Sequence, residues 1–182
     1  GLAAVAAISL FRAGGGASGG ASDGAVREYR TAVGQRDSVQ LPDGSTVLLA
    51  PGSRLTVAAN FGEQNREVTL DGAAYFDVKH DEKHTFTVHT RGADVRDIGT
   101  AFSVKTASDG EVAVDVTHGI VALSSRTAKS APVELRAGDR GVVIRDAMTV
   151  RRGTVTADDV AWTRGQLSYR DASLSEVRAD LQ

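Results

Sequence analysis

The sequence has no cysteine among its 182 residues. This excludes disulfide bonds, thiol nucleophiles and thiolate metal sites. Lysine and arginine total 21 against 23 aspartate and glutamate residues, which gives a net charge of −2. Because no excess of positive charge attracts phosphate groups, nucleic acid is not expected as a partner. With only 3 prolines and 20 glycines, the chain is expected to contain many tight turns and few rigid linkers.

Long apolar runs are also missing. The longest uncharged and mostly apolar stretch covers residues 2–11 and ends at Arg12. A membrane-spanning helix needs about 20 such residues, so we expect residues 1–12 to be the outer part of a truncated transmembrane segment. The alternatives are the apolar region of a signal peptide and a buried helix. Residues 13–27 are rich in Gly, Ala and Ser, which predicts a flexible linker.

The central part of the chain, residues 28–156, alternates apolar and polar residues and shows no helical period. Glycine-containing pairs separate the alternating runs, at Asp43-Gly44, Asp71-Gly72, His118-Gly119 and Gly138-Asp139. Such pairs between alternating runs predict β-hairpins. We therefore expect an all-β domain, either sandwich-like or a short twisted, solenoid-like stack of hairpins.

The pattern changes over residues 157–182. A short strand is predicted at Leu167 and Tyr169, and a helix is predicted after it, with Ser173 as the N-cap and Glu176 completing a capping box. These elements predict the start of a small α/β module, truncated at residue 182 of this sequence.

One aromatic pair carries a packing prediction. In the stretch GAAYFDV, residues 72–78, neighbouring side chains of a strand point to opposite faces. We predict that Phe76 is buried together with Ala74 and Val78, and that Tyr75 faces a second layer.

Few residues suggest chemistry. His80 and His84 have the spacing of metal ligands on a helix, but they lie in a charged link between predicted strands, so neither a metal site nor a cofactor is expected. The sequence contains no glycine-flanked nucleophile of the kind that would indicate a multiple-turnover enzyme. The stretch DIGTAFSVKT, residues 97–106, is unusual because Gly99 and Thr100 interrupt a predicted strand. A bulge or a close backbone approach is one explanation.

Six stretches of the chain, taken in order, resemble one protein family. They are LPDGSTVLLAPGSRL (41–55), REVTLDGAAYFDVKHDEKHTFTV (66–88), VRDIGTAFSV (95–104), VTHGIVAL (116–123), LRAGDRGVV (135–143) and WTRGQLSYRDASLSEV (162–177). Together they resemble the FecR family, the transmembrane anti-sigma factors of ferric-siderophore signalling. The resemblance covers residues 28–182 and departs from the family pattern at Ala50, Ala74 and Ile98.

The resemblance implies a location and a set of partners. The protein would be anchored in the bacterial inner membrane by a single helix, with this region in the periplasm. It would relay a signal from an outer-membrane receptor to a cytosolic sigma factor through protein–protein interaction and regulated proteolysis. The implied partners are the signalling domain of a TonB-dependent receptor, the sigma factor (through a cytosolic region absent from this sequence), and periplasmic and intramembrane proteases.

The resemblance also implies a chemical role for Gly99 and Thr100. Some family members cut themselves in the periplasm at a Gly-Thr bond, and the Thr100 hydroxyl is suited to attack the carbonyl of Gly99. The alternative function is a periplasmic ligand- or cell-wall-binding β-module without a signalling role. Aromatic residues make up only 5% of the chain, which does not favour a carbohydrate-binding surface.

Overall fold

The computed structural model describes residues 25–62, 65–128, 130–145, 147–156 and 158–164. These residues form fourteen β-strands and one short 3₁₀ helix, Ala161–Arg164. The strands are β1 Arg27–Arg30, β2 Asp37–Gln40, β3 Thr46–Leu49, β4 Arg54–Val57, β5 Arg66–Asp71, β6 Ala73–Asp77, β7 Phe86–His89, β8 Ala93–Asp97, β9 Ala101–Thr106, β10 Val112–His118, β11 Ile120–Ser125, β12 Val133–Arg136, β13 Arg140–Ile144 and β14 Ala147–Arg151.

The strands form two seven-stranded sheets. Sheet A has the order β1-β4-β5-β7-β8-β11-β12, and sheet B has the order β14-β13-β10-β9-β6-β3-β2. Neighbouring strands are antiparallel except β5 and β7, which are parallel. The alternating apolar side chains of both sheets belong to one buried cluster, as expected for a sandwich. The prediction of an all-β, sandwich-like domain is therefore confirmed.

Most of the predicted hairpin turns are instead bends between the two sheets. Strands β10 and β13 pair in sheet B, and their continuations β11 and β12 pair in sheet A. The chain therefore crosses between sheets near Gly119 and Gly138, where the amide of Ala137 donates to the carbonyl of Gly119 at 3.0 Å. The bend at Gly72 likewise joins β5 in sheet A to β6 in sheet B. The hairpin predictions at these three positions are wrong.

The predicted turn at Asp43-Gly44 does join a hairpin, since β2 and β3 pair directly with Val39 opposite Val47. Glycine permits the backbone conformations needed both for a tight turn and for a sharp bend of a strand. The local pattern therefore locates the change of direction. It does not reveal whether the next strand stays in the same sheet, because strand pairing depends on distant residues.

The core contains Phe76 and the two residues predicted to be buried with it. Phe76 is fully buried, as is Ala74, and Val78 is 5% exposed, which confirms the packing prediction for these three residues. The Phe76 ring stacks on Phe102 with centroids 5.2 Å apart. Tyr75 lies on the opposite face, half-buried, and its hydroxyl is 3.1 Å from that of Thr117.

The chain after β14 packs back onto the sandwich. Val160 and Ala161 are buried. Arg140 donates from Nη2 to Asp159 Oδ1 at 3.0 Å and to Asp115 Oδ2 at 2.8 Å. Because one guanidinium group binds both carboxylates, this ion triad holds residues 158–164 against sheet B.

Several predictions fall outside the described residues. The predicted membrane segment, most of the linker, and the predicted strand and helix of the terminal module are among them. Within the residues that the structure does describe, no helix has the length and hydropathy needed to cross a membrane.

Candidate functional site at Gly99 and Thr100

The Gly99-Thr100 bond lies where the chain crosses from sheet A to sheet B. Asp97, the last residue of β8, pairs with Val121 in sheet A. Ala101, the first residue of β9, pairs with His118 in sheet B. The two residues that interrupt the predicted strand are therefore the bend between two strands, and the register shift in this region lies on the facing strand β10.

Gly99 is required at this bend for two reasons. Its φ angle is +151°, a backbone conformation that residues with a β-carbon rarely adopt. An ideal β-carbon at position 99 would also lie 2.5 Å from the α-carbon of His80 and 2.6 Å from its Nδ1 atom. The close backbone approach considered from the sequence is present, and the neighbour is the chain at His80.

The Thr100 side chain is buried and its hydroxyl is unpaired. Thr100 is 4% exposed, and its methyl group faces the α-carbon of Gly119. Its Oγ1 atom is one of two buried side-chain polar atoms in the described residues with no hydrogen-bond partner; the other is Oδ1 of Asn65. Buried hydroxyl groups are usually hydrogen-bonded because desolvation is costly. An unpaired hydroxyl one residue after a constrained glycine is therefore a candidate nucleophile.

Asp97 binds both amides of the bend. Its Oδ1 atom accepts a hydrogen bond from the Gly99 amide at 3.0 Å, and its Oδ2 atom accepts one from the Thr100 amide at 3.1 Å. Only 2% of Asp97 is exposed. The nitrogen of the Gly99-Thr100 peptide bond is therefore hydrogen-bonded to a buried carboxyl group.

The loop of residues 79–84 runs beside the bend. The amide of Val78 donates to the carbonyl of Thr100 at 2.9 Å, and the amide of Asp81 donates to the carbonyl of Ile98 at 2.8 Å. These bonds lie on either side of Gly99 and fix the position of His80 against it. The His80 Nε2 atom is 3.6 Å from Glu82 Oε1.

Arg66 anchors this loop from within the sandwich. Although 98% of its side chain is buried (2% exposed), it donates to the carbonyl of His84 at 2.7 Å and to that of Lys79 at 2.8 Å. Its charge is paired with Asp43 Oδ2 at 3.1 Å. A buried arginine that binds a carboxylate and the backbone at both ends of a loop restricts the loop to one position.

A second interaction stabilises the same loop. His84 Nδ1 lies 2.8 Å from Asp81 Oδ2. This hydrogen bond, together with one from the Lys83 amide, lowers the pKa of Asp81 to about 2. Asp81 is therefore ionised at neutral pH. His80 and His84 contact different carboxylates, Glu82 and Asp81, in a loop and not on a helix.

The chain contains a second Gly-Thr pair, at Gly153 and Thr154, in different surroundings. Thr154 is exposed, whereas Thr100 is buried. No atom lies within 4 Å of an ideal β-carbon at Gly153. The Gly-Thr pair is therefore tightly packed at residues 99 and 100, whereas at residues 153 and 154 it is exposed to solvent.

Of the residues that surround the bond, the sequence points only to Asp97, which is close in sequence, and it assigns Asp97 no role. Asp97 had a local signal, because an aspartate two residues before a glycine commonly forms a side-chain turn with the backbone amides that follow. His80 and Gly119 had none, since they come from other parts of the fold and meet Gly99 and Thr100 only through strand pairing.

Comparison with known proteins identifies the family. A family model described as "FecR protein" matches residues 27–122, more than half of the chain. The chain belongs to the FecR family. The match runs from β1 into β11 and includes Asp97, Gly99 and Thr100, so the candidate site lies within the FecR region.

Two solved structures resemble this FecR chain over most of its length. They are crystal structures at 2.50 Å and 1.65 Å resolution, each described as a "putative anti-sigma factor" from Parabacteroides distasonis ATCC 8503. Both are 28% identical in sequence, with TM-scores of 0.76 and 0.75; they cover 86% and 85% of this chain and, in each case, 73% of the other. None of the curated proteins compared matches the sequence. The family and these neighbours support an anti-sigma factor role.

Proposed function

We propose that this FecR chain is the periplasmic sensor region of an anti-sigma factor anchored in the bacterial inner membrane. It receives a signal from the signalling domain of a TonB-dependent outer-membrane receptor and passes it to a cytosolic sigma factor through regulated proteolysis. The observation that supports this proposal is the FecR match over residues 27–122, together with the anti-sigma description of both structural neighbours.

Protein docking on this domain has a physical basis in its sheet edges. Among the described strands, β1 and β12 are the edges of sheet A, and β14 and β2 are the edges of sheet B. An edge strand carries unpaired backbone amides and carbonyls that can pair with a strand from another protein. A receptor signalling domain that presents a strand could therefore bind without a deep pocket.

The docking proposal is tested by a pull-down from full-length protein. The tagged protein is incubated with the purified signalling domain of a TonB-dependent receptor from the same bacterium, and with the signalling domain of an unrelated receptor as the control. We expect retention of the first domain only. Failure to retain any receptor signalling domain would remove the proposed partner.

Protease accessibility in spheroplasts tests the periplasmic location. A protease added to spheroplasts digests a periplasmic region, whereas cytoplasmic proteins stay protected behind the intact inner membrane.

We further propose that the chain cuts itself once, at the Gly99-Thr100 bond. The Thr100 hydroxyl is buried without a hydrogen-bond partner and belongs to the residue that follows the carbonyl it would attack. Gly99 has no side chain to hinder that carbonyl, and its φ of +151° marks an unusual backbone conformation of the kind found at functional sites. The reaction is an attack of oxygen on the preceding peptide bond, followed by hydrolysis of the resulting ester.

The self-cleavage proposal is tested on full-length protein by intact-mass and gel analysis over time. The variants are Thr100→Ala and the matched control Thr154→Ala, which changes the exposed threonine of the second Gly-Thr pair. We expect fragments that separate residue 99 from residue 100 in the wild type and in Thr154→Ala, and an intact chain in Thr100→Ala. An uncut wild type, or cutting that does not depend on Thr100, would leave the bend with a structural role only.

A further inference from the structure

The carboxyl group of Asp97 touches the atom that must leave in the proposed cleavage. Its Oδ2 atom is 3.1 Å from the amide nitrogen of Thr100, and its Oδ1 atom binds the neighbouring Gly99 amide at 3.0 Å. The residue is 2% exposed. A carboxyl group in this position is buried, so its interactions with the peptide are little weakened by solvent.

The cleavage changes the charge of the group that Asp97 faces. In the first step, Thr100 Oγ1 forms a bond to the carbonyl carbon of Gly99, and the bond between that carbon and the Thr100 nitrogen breaks. The hydroxyl proton passes to the nitrogen before that bond breaks, so the nitrogen carries a positive charge until it leaves as a free amine and the peptide has become an ester. Because an α-amine has an ordinary pKa of about 7.7–8.0, this amine takes one further proton from solvent at neutral pH. Water then hydrolyses the ester, which leaves a carboxylate on Gly99 and the hydroxyl on Thr100 and releases one proton to solvent.

The hydrogen bond from Thr100 to Asp97 becomes stronger during this sequence. Before the reaction Asp97 accepts from an uncharged amide, and while the bond breaks the same oxygen faces a positively charged nitrogen. A positively charged donor binds a carboxylate more strongly than an uncharged amide does, because a Coulomb attraction is added to the hydrogen bond. Because the interaction is stronger with the charged nitrogen as it leaves than with the peptide amide, it lowers the barrier to the reaction. We infer that Asp97 is a catalytic residue of the Gly99-Thr100 cleavage, one that stabilises the amine as it leaves.

This inference rests on the proposed self-cleavage and makes a separate prediction. Asp97→Asn keeps the size of the side chain, but it removes the charge and leaves one oxygen to accept two amide hydrogen bonds. We expect Asp97→Asn to slow cleavage about tenfold or more, the difference between a charged and a neutral hydrogen bond. Asp109→Asn is the matched control, because Asp109 also accepts a hydrogen bond from the amide two residues later (3.1 Å, Glu111), at an exposed turn.

The experiment measures the cleavage rate of full-length wild type, Thr100→Ala, Asp97→Asn and Asp109→Asn by intact mass, with hydroxylamine added in parallel to trap the ester. Slower cleavage and less trapped ester in Asp97→Asn, with Asp109→Asn at the wild-type rate, support the inference. Equal rates in wild type and Asp97→Asn, with no cleavage in Thr100→Ala, overturn the role of Asp97 and leave self-cleavage standing. An uncut wild type overturns the self-cleavage proposal itself.

A second variant separates catalysis from damage to the turn. Asp97→Glu restores the carboxylate charge in a side chain that fits the bend less well than asparagine does. A stabilising charge predicts faster cleavage in Asp97→Glu than in Asp97→Asn. If a well-formed turn is all that matters, Asp97→Glu is the slower of the two, and that result overturns the inference. Thermal unfolding of each variant identifies any loss of the folded state at the assay temperature.

Discussion

The α-carbon of Gly119 faces the methyl group of Thr100 so closely that an ideal β-carbon on Gly119 would lie 2.3 Å from Thr100 Cγ2. Gly119 is the bend between β10 and β11, and Thr100 is at the neighbouring bend between β8 and β9. The two bends therefore pack against each other. Since a β-branched side chain has few allowed rotamers, this contact contributes to the orientation of the Thr100 hydroxyl.

The first prediction follows from this contact. Gly119→Ala introduces an atom where Thr100 already lies, so we expect a loss of about 1–3 kcal/mol from overpacking, beyond the cost of its φ of +81°. Gly110→Ala is the control, because Gly110 has a similar φ of +90° and no atom within 4 Å of an ideal β-carbon. Urea unfolding measures both variants. Equal losses of unfolding free energy in the two variants would show that Thr100 moves away from the new methyl group without an energetic cost.

The second prediction concerns the aromatic core. Phe76 is fully buried, stacked on Phe102 and in edge contact with Phe86 at a centroid distance of 6.0 Å. Phe76→Ala is expected to lower the free energy of unfolding by about 3–5 kcal/mol, because it leaves a cavity among rings. Ile144→Ala, at a strand position that is 42% exposed, is expected to change it by less than about 1 kcal/mol. A similarly small loss for Phe76→Ala would contradict the packing.

The third prediction compares two arginines. Arg66 is 2% exposed and paired with Asp43, whereas Arg136 is 68% exposed and paired with Glu134 at 3.6 Å. Arg66→Ala leaves the Asp43 carboxylate without its partner, so we expect a loss of about 3–5 kcal/mol. Arg136→Ala is expected to cost less than about 1 kcal/mol. Comparable unfolding midpoints for the two variants would show that Arg66 does not stabilise the fold.

We also expect Arg66→Ala to affect the candidate site indirectly, through the loop of residues 79–84. The side chain binds the carbonyls of Lys79 and His84, at the two ends of the loop that places His80 against Gly99. Its removal is expected to increase hydrogen exchange at the Asp81 amide, which donates to Ile98. Unchanged protection there would indicate that the loop is held by its other contacts.

How far the sequence predicts this fold depends on the range of the interactions involved. Period-two alternation identified the β-strands, since burial on one face of a strand is a local property. The bends at Gly72 and Gly119 were predicted as hairpin turns because the sequence signal of a glycine is the same in a hairpin turn and in a bend between two sheets. Whether β11 continues in the sheet of β10 is decided by pairing with β8 and β12, which no local pattern contains.

The candidate site likewise contains some residues that the sequence identifies and others that it does not. Gly99 and Thr100 were identified from an interrupted strand and a family resemblance, both of which are local in sequence. The burial of Thr100 follows from Gly119, and the crowding of Gly99 follows from His80; these contacts join residues about 19 apart in the chain. Arg66 was not identified at all, because an arginine beginning an apolar strand has no sequence signal that distinguishes it from an exposed one.

The last prediction concerns pH. Asp139 is 5% exposed. Its burial acts to raise its pKa, but hydrogen bonds from the Arg136 amide at 2.9 Å, from Arg152 and from the Gly153 amide hold the pKa below the ordinary value of 3.8. A carboxyl group with a lowered folded-state pKa stabilises the fold above its unfolded-state pKa, and this contribution is lost as the pH falls through the folded-state value.

Asp139→Asn is therefore expected to be less stable than the wild type at pH 7, by about 1–3 kcal/mol, because it removes the charged acceptor of three hydrogen bonds. The difference should narrow as the pH falls below about 3.8, where the carboxyl group of the unfolded wild type takes up a proton before that of the folded protein does. Urea unfolding at several pH values between 7 and 2.5 measures this, and Asp109→Asn controls for the loss of one negative charge at an exposed position. A constant difference between wild type and Asp139→Asn over that range would show that hydrogen-bond geometry, and not the charge of Asp139, supplies the stabilisation.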